Sequence, residues 1–176
     1  EFGRLENLKI DLVGDLANGR TTRSLSYLLG KFQNMEIIFV SPPHLKIGDD
    51  IKDYLNKHQV VWREETDLDA VLPLVDIVYL TRIQKERMSS IDYFNARGNY
   101  ILTEKNLQFL KPSARVLHPL PHVEEIDLAV EVEQKDPRIA YFRQAQNGLY
   151  IRMALLEYVL SQEEEFEEQA SQAGTP

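Results

Sequence analysis

Residues 8–32 read LKIDLVGDLANGRTTRSLSYLLGKF, and this stretch decides the fold. Leu8–Val13 is a short apolar run of the kind that fills a buried strand, and it stops at Gly14. From Thr21 to Phe32 the spacing changes, placing Leu25, Leu28, Leu29 and Phe32 on one helical face. A strand, a glycine-bounded loop and a helix in that order form the first half of a βαβ unit.

Outward from this segment the alternation repeats. Glu36–Val40 (EIIFV) ends in Ser41-Pro42-Pro43, a sharp strand stop. Ile47 to His58 is helical in spacing, with Ile51, Tyr54 and Leu55 in phase. Val60–Trp62, Asp76–Leu80 (DIVYL), Tyr100–Leu102 and Arg115–Leu117 read as further strands. Leu68 to Leu74 and Ser89 to Ala96 read as short helical pieces, and Ile139 to Leu160 as a long helix with Gly148 as an irregularity. The expected fold is α/β: a doubly wound, Rossmann-like parallel sheet flanked by helices, in a single domain.

The chain has 176 residues, 28 acidic against 20 basic, and no cysteine. That excludes a disulfide framework, a thiolate metal site and a cysteine nucleophile. Five glutamates (Glu163, Glu164, Glu165, Glu167, Glu168) lie beyond Leu160 with no Lys or Arg, so the acidity is largely a tail. Residues 161–176 read as a fraying helix end followed by disorder. The body is nearly balanced in charge, which gives no broad basic face for nucleic acid. No apolar run approaches the length of a bilayer span, and residues 1–10 do not read as a signal peptide. Neither a nucleic-acid nor a membrane partner is expected.

In doubly wound folds ligands sit beyond the carboxyl ends of the strands, near a switch in strand order. Three loops occupy such positions: Gly14–Thr22, Thr81–Arg87 and His118–Glu125. The first is a near miss for GxxxxGK[ST], with Arg20 where lysine belongs. A planar guanidinium does not reproduce the point charge of that lysine, and Asp76 opens its strand instead of closing it as a magnesium-binding acid would. A nucleotide triphosphatase is therefore disfavoured. An arginine at a helix N-terminus, where free N–H groups also favour an anion, remains. In the second loop Arg82 and Gln84 are in phase if the chain stays extended, so both can face one pocket. Arginine supplies a planar fork for a carboxylate, and glutamine neutral donors and acceptors. In the third, Pro119 and Pro121 flank Leu120 and hold the backbone extended, presenting carbonyl acceptors to a ligand with N–H donors. The same prolines keep His118 and His122 from a helical metal pair, and no metal is expected. Glu124 and Glu125 are expected to open a helical turn.

Taken together, VGDLANGRT (13–21), TRIQKER (81–87), VLHPLP (116–121) and YFRQAQNGLYIRMALL (141–156) resemble the aspartate carbamoyltransferase family over its C-terminal, aspartate-binding domain. The LANGRTTRSLSYLL stretch is most similar to the plant and cyanobacterial branch. Ornithine carbamoyltransferases, the nearest relatives, carry HCLP where this chain has HPLP and lack TRIQ.

The resemblance implies roles for residues already singled out. Arg20 and Arg82 would hold the two carboxylates of L-aspartate, and Gln84 would support the site beside them. Asp15 would orient Gln84 by a hydrogen bond. The main-chain carbonyls of Pro119 and Leu120, shaped by Pro121, would meet the carbamoyl amide and the aspartate amine. Lys85 and Arg87 would lie on a loop closing over the ligands, and Glu86 would set the Arg82 fork. No residue of this chain is implied as an acid or base, and no cofactor. The family's carbamoyl-phosphate motif, Ser-Thr-Arg-Thr, does not occur here, so that half of the site would lie in an N-terminal domain. Residues 1–7 are expected as a linker remnant, 8–160 as the aspartate-binding domain and 161–176 as the acidic tail. The implied partners are L-aspartate, carbamoyl phosphate together with that missing domain, and two further copies in a homotrimer of the full-length enzyme. The implied location is cytoplasmic, or plastid for a plant source.

Two departures stand out. Position 122 is His where the family carries an arginine, which threatens loop support more than ligand contact, and Ala17 replaces a lysine of many bacterial members. The alternative reading is a non-catalytic, carbamoyltransferase-like binding or assembly module.

Overall fold

The computed structural model describes residues 1–84 and 100–173, with side chains described as far as Ser161. In chain order the elements are β1 (Lys9–Val13), α1 (Arg20–Leu29), β2 (Glu36–Val40), α2 (Asp49–Lys57), β3 (Val61–Glu65), α3 (Leu68–Val71) and a 3-10 turn (Leu72–Leu74). There follow β4 (Ile77–Leu80), β5 (Leu102–Thr103), α4 (Glu104–Leu107), β6 (Arg115–Leu117), β7 (Ile126–Asp127), α5 (Val130–Lys135) and α6 (Tyr141–Ala173). The expected helical piece at Ser89–Ala96 lies outside the described residues.

Five strands make one parallel sheet in the order β3-β2-β1-β4-β6. β1 is central, and the strand order reverses between β1 and β4. Side chains alternate across β1 as the pleat requires. Ile10 and Leu12 join Ile37, Phe39, Ile51 and Leu55 on one face, while Val13 joins Ile38, Val40, Val78, Leu80 and Val116 on the other. Helices α1 and α2 cover the first face through Leu29, Ile51 and Leu55. α3, the 3-10 turn and α4 cover the second through Leu68, Val71, Leu72 and Leu107. Each fully buried Leu or Ile contributes roughly 1.5–3 kcal/mol, so two such layers are enough to order the sheet. The doubly wound expectation is met.

Charge marks the β3 edge. Arg63 pairs with Glu36 at 2.7 Å and Lys46 with Glu64 at 3.0 Å, which blunts an otherwise exposed ladder. One buried charge breaks the pattern in the sheet's centre. Asp11, fully buried between Ile38 and Val78 in register, makes no hydrogen bond through either carboxylate oxygen. Burial pushes its carboxyl well above the ordinary value, and the peptide groups of Tyr79 and Asp11 itself offset only part of that.

Several boundaries differ from the sequence reading. β7, only two residues long, pairs with β5 in a second small sheet that no apolar run announces. Glu124 and Glu125 do not open a helix; they form the turn into β7, and Glu125 is buried. The last helix begins at Tyr141, not Ile139, because Ile139 bridges to Val116 and belongs to the sheet edge. It continues past Leu160 through the glutamate run to Ala173, where the sequence suggested a disordered tail, since Glu, Gln and Ala are strong helix formers. Two compact units are distinguished along the chain, residues 1–141 and 142–176. Within the second unit, α6 exposes more than half of Leu149, Met153, Leu156 and Val159.

Candidate functional site

The carboxyl ends of β1, β4 and β6 open into a cleft of about 460 Å³, at the point where the strand order reverses. The β1 loop reaches it through a tight approach. Gly14 has φ 117°, in the left-handed region, and a β-carbon there would lie 2.2 Å from the Thr81 carbonyl oxygen. Thr81 donates both its N–H (2.8 Å) and its hydroxyl (3.0 Å) to the Val13 carbonyl, locking the start of the second loop to the first.

Beyond Gly14, Asp15 is fully buried and accepts from Asn18 through its backbone N–H (3.0 Å) and its side-chain amide (3.1 Å). Asp15 therefore shapes its own loop by bonding Asn18, in place of the expected bond to Gln84. Gly19 caps α1; a side chain there would crowd the Asp15 carbonyl at 2.6 Å. Arg20 is the first residue of α1, exposed in the cleft wall beside Thr21. Its charge stands where the free N–H groups of the helix also favour an anion.

From β4 the chain alternates as expected. Ile83 turns to the core, while Arg82 and Gln84 both line the cleft. Lys85, Glu86 and Arg87, expected to close and support the site, lie outside the described residues.

The third loop differs in shape from the extended segment its prolines suggest. Leu120 has φ 54°, so the chain turns there; the Leu120–Pro121 peptide is cis. A hydrogen bond explains the turn: Leu120 donates its N–H to Nδ1 of His118 at 2.9 Å. His118 is itself buried, with Nε2 2.9 Å from Glu125 Oε1. Burial works to raise the Glu125 carboxyl, but hydrogen bonds from His118, its own backbone and Val123 outweigh it and hold the group below its ordinary value. Pro119, Leu120 and Pro121 line the same cleft as the two arginines.

His122, the departure from the family pattern, has support of its own. Its Nε2 lies 3.0 Å from Glu133 Oε1, and its ring stands edge-on to Tyr141 with centroids 5.4 Å apart. Tyr141 donates its hydroxyl to the same carboxylate, and burial, then Glu133, pushes its phenol far up. No group of three metal-ligating side chains occurs among the described residues. Asp76 accepts from the Lys9 N–H at 2.9 Å and pairs with Lys111 at 2.9 Å, bonds made where β4 begins, as its position in the strand implied.

Six residues singled out from the sequence thus share one cleft: Arg20, Arg82, Gln84, Pro119, Leu120 and Pro121. Asn18, Thr21, Thr81 and His118 also line it, unassigned from the sequence. Their signal was position alone, one to eight residues past a strand end. Chemically the cleft offers two guanidinium groups together with a turned, proline-flanked main chain. That combination suits a small anionic molecule that also carries N–H donors.

Residues 6–159 match the family model described as aspartate/ornithine carbamoyltransferase, Asp/Orn binding domain. The chain is 54% identical over 162 residues to the chloroplastic aspartate carbamoyltransferase of Oryza sativa subsp. japonica, covering 91% of this chain and 44% of that protein. Among solved structures, the catalytic subunit of M. jannaschii aspartate transcarbamoylase superposes with a TM-score of 0.82 at 37% identity, covering 90% of this chain and 52% of that one. The Trypanosoma cruzi aspartate transcarbamoylase in complex with N-(phosphonacetyl)-L-aspartic acid gives a TM-score of 0.79 at 34% identity, with coverage of 89% and 50%. The chain spans about half the length of the proteins it matches. It belongs to the aspartate/ornithine carbamoyltransferase family, of which it carries the Asp/Orn-binding domain.

Proposed function

We propose that the cleft binds L-aspartate and that, joined to a carbamoyl-phosphate-binding half, it serves carbamoyl transfer to the aspartate amine. The reading rests chiefly on the gathering of Arg20, Arg82 and Gln84 in one cleft with Pro119 and Leu120. The guanidinium groups of Arg20 and Arg82 pair with the two carboxylates, each fork matching a planar anion. Gln84 adds neutral hydrogen bonds between them. The main-chain carbonyls of Pro119 and Leu120 accept N–H donors from the carbamoyl amide and the amine, orienting the amine lone pair. The amine then attacks the carbamoyl carbon, the bond from that carbon to the phosphate oxygen breaks, and the departing phosphate takes up the proton that the amine gives up. This chain contributes positioning and charge neutralisation, with no covalent intermediate on its residues.

The Trypanosoma cruzi relative is solved in complex with N-(phosphonacetyl)-L-aspartic acid, a compound that joins a phosphonate to L-aspartic acid, which agrees with a site of this chemistry. The full-length protein acts in this reading as a homotrimer, in the plastid if its source is a plant and in the cytoplasm otherwise; the rice relative's name says chloroplastic. The alternative of a non-catalytic module drew on His122, but the contact of His122 with Glu133 keeps that loop supported and favours the catalytic reading.

Calorimetry with L-aspartate and with succinate tests the proposal. Weak binding is expected for both, abolished in Arg20→Ala and Arg82→Ala, with carbamoyl-aspartate formed only after mixing with a carbamoyl-phosphate domain. No binding by the parent, or variants indistinguishable from it, would overturn the assignment.

A further inference from the structure

The cleft wall contains one buried titratable side chain to which the proposed chemistry gives no task, His118. It is 2% exposed; Nδ1 accepts the Leu120 N–H, and Nε2 lies 2.9 Å from a Glu125 carboxylate oxygen. Nδ1 receives the Leu120 N–H, so Nδ1 carries no proton. The ring's proton therefore sits on Nε2, facing Glu125 at 2.9 Å. Glu125 is held in turn by the Val123 N–H at 3.1 Å. A directed series results, from Glu125 through the imidazole to the peptide N–H of Leu120. Leu120 is the residue whose backbone departs from the extended form that its prolines favour, at φ 54°.

We propose that His118 is a positioning residue, holding Leu120 in the turned conformation that presents the Pro119–Leu120 main chain to the ligand. The inference rests on the aspartate-binding reading. Its physical content is tautomer-specific. An imidazole with Nε2–H donates to Glu125 and accepts from Leu120 at once, whereas a ring protonated at Nδ1 can only donate there and drives the Leu120 N–H away. His122, whose ring centroid is 6.1 Å from that of His118, is occupied with Glu133 and does not compete for Leu120.

Two substitutions separate this role from that of a buried ion-pair partner. His118→Asn places an amide oxygen near the former Nδ1 and keeps the Leu120 bond while losing the contact with Glu125. His118→Gln places its amide near the former Nε2 and does the reverse. Asparagine is expected to hold succinate affinity within about threefold of the parent and glutamine to weaken it at least about tenfold, the scale of one lost hydrogen bond. Amide exchange at Leu120 should stay slow in the parent and in His118→Asn and become fast in His118→Gln. The opposite ranking, or equal losses in both, would overturn the proposal. Nitrogen-15 spectra of the parent imidazole give a further check on the unmutated protein. A protonated Nδ1 at neutral pH refutes the inference even if neither variant folds. Failure of the parent to bind succinate while Leu120 exchange still follows this ranking would count against the aspartate reading alone, and leave His118 as the determinant of the turn.

Discussion

Gly14 and Thr81 meet so closely that a β-carbon on Gly14 would lie 2.2 Å from the Thr81 carbonyl oxygen, although 66 residues separate them in the chain. This contact joins the first and second loops of the cleft. Gly14→Ala is expected to destabilise the protein by about 2–4 kcal/mol, from a side chain at φ 117° together with overpacking. Urea unfolding measures the loss. A shift below about 1 kcal/mol would mean that the loops part without cost.

The two arginines differ in placement, one at a helix start and one beyond a strand, yet share the cleft. Arg82→Lys keeps the charge and removes the fork. Affinity for succinate is expected to fall roughly tenfold, less than for Arg82→Ala, since hydrogen bonds to charged groups contribute about 1.5–3 kcal/mol. Equal binding by Arg82→Lys and the parent would show that a point charge is enough.

Acid should unfold the protein partly through Glu125. Its folded value lies below the ordinary one, so its contribution is complete above the ordinary carboxylate range and is lost as pH falls through the folded value. Melting temperatures of the parent and Glu125→Gln should converge as pH is lowered through about 4. A constant difference at all pH values would remove Glu125 from the acid transition.

Asp11 has the opposite sign. Its folded value is raised, so the protein is best served by the neutral carboxyl, and that advantage fades as pH rises. Asp11→Val matches the apolar neighbours Ile38 and Val78 and should stabilise the fold at neutral pH by about 1–3 kcal/mol, with a smaller gain in acid. Guanidinium titrations at two pH values check both the sign and the trend.

The exposed apolar side chains of α6, Leu149, Met153, Leu156 and Val159, recur at helical spacing and form a stripe suited to self-association. Size exclusion should show an apparent mass that rises with concentration, reduced by Leu156→Lys. A concentration-independent monomer would contradict this.

Local chemistry made much of the molecule legible. Short apolar runs, helical spacing and the stops at Gly14 and Ser41-Pro42-Pro43 mark the strands and helices, because those signals act over a few residues. The same runs point to the three loops, and charge and proline content single out Arg20, Arg82, Gln84 and the Pro119–Pro121 segment. What those signals do not encode is pairing between distant segments. The placement of β1 beside β4, which puts Gly14 against Thr81, follows from burying both faces of the sheet at once. The Asp15–Asn18 bond, the burial of Glu125 beneath His118 and the turn at Leu120 likewise depend on which groups are removed from water together. A polar group taken from water must find a partner nearby in space, and only the packed chain determines which group that is.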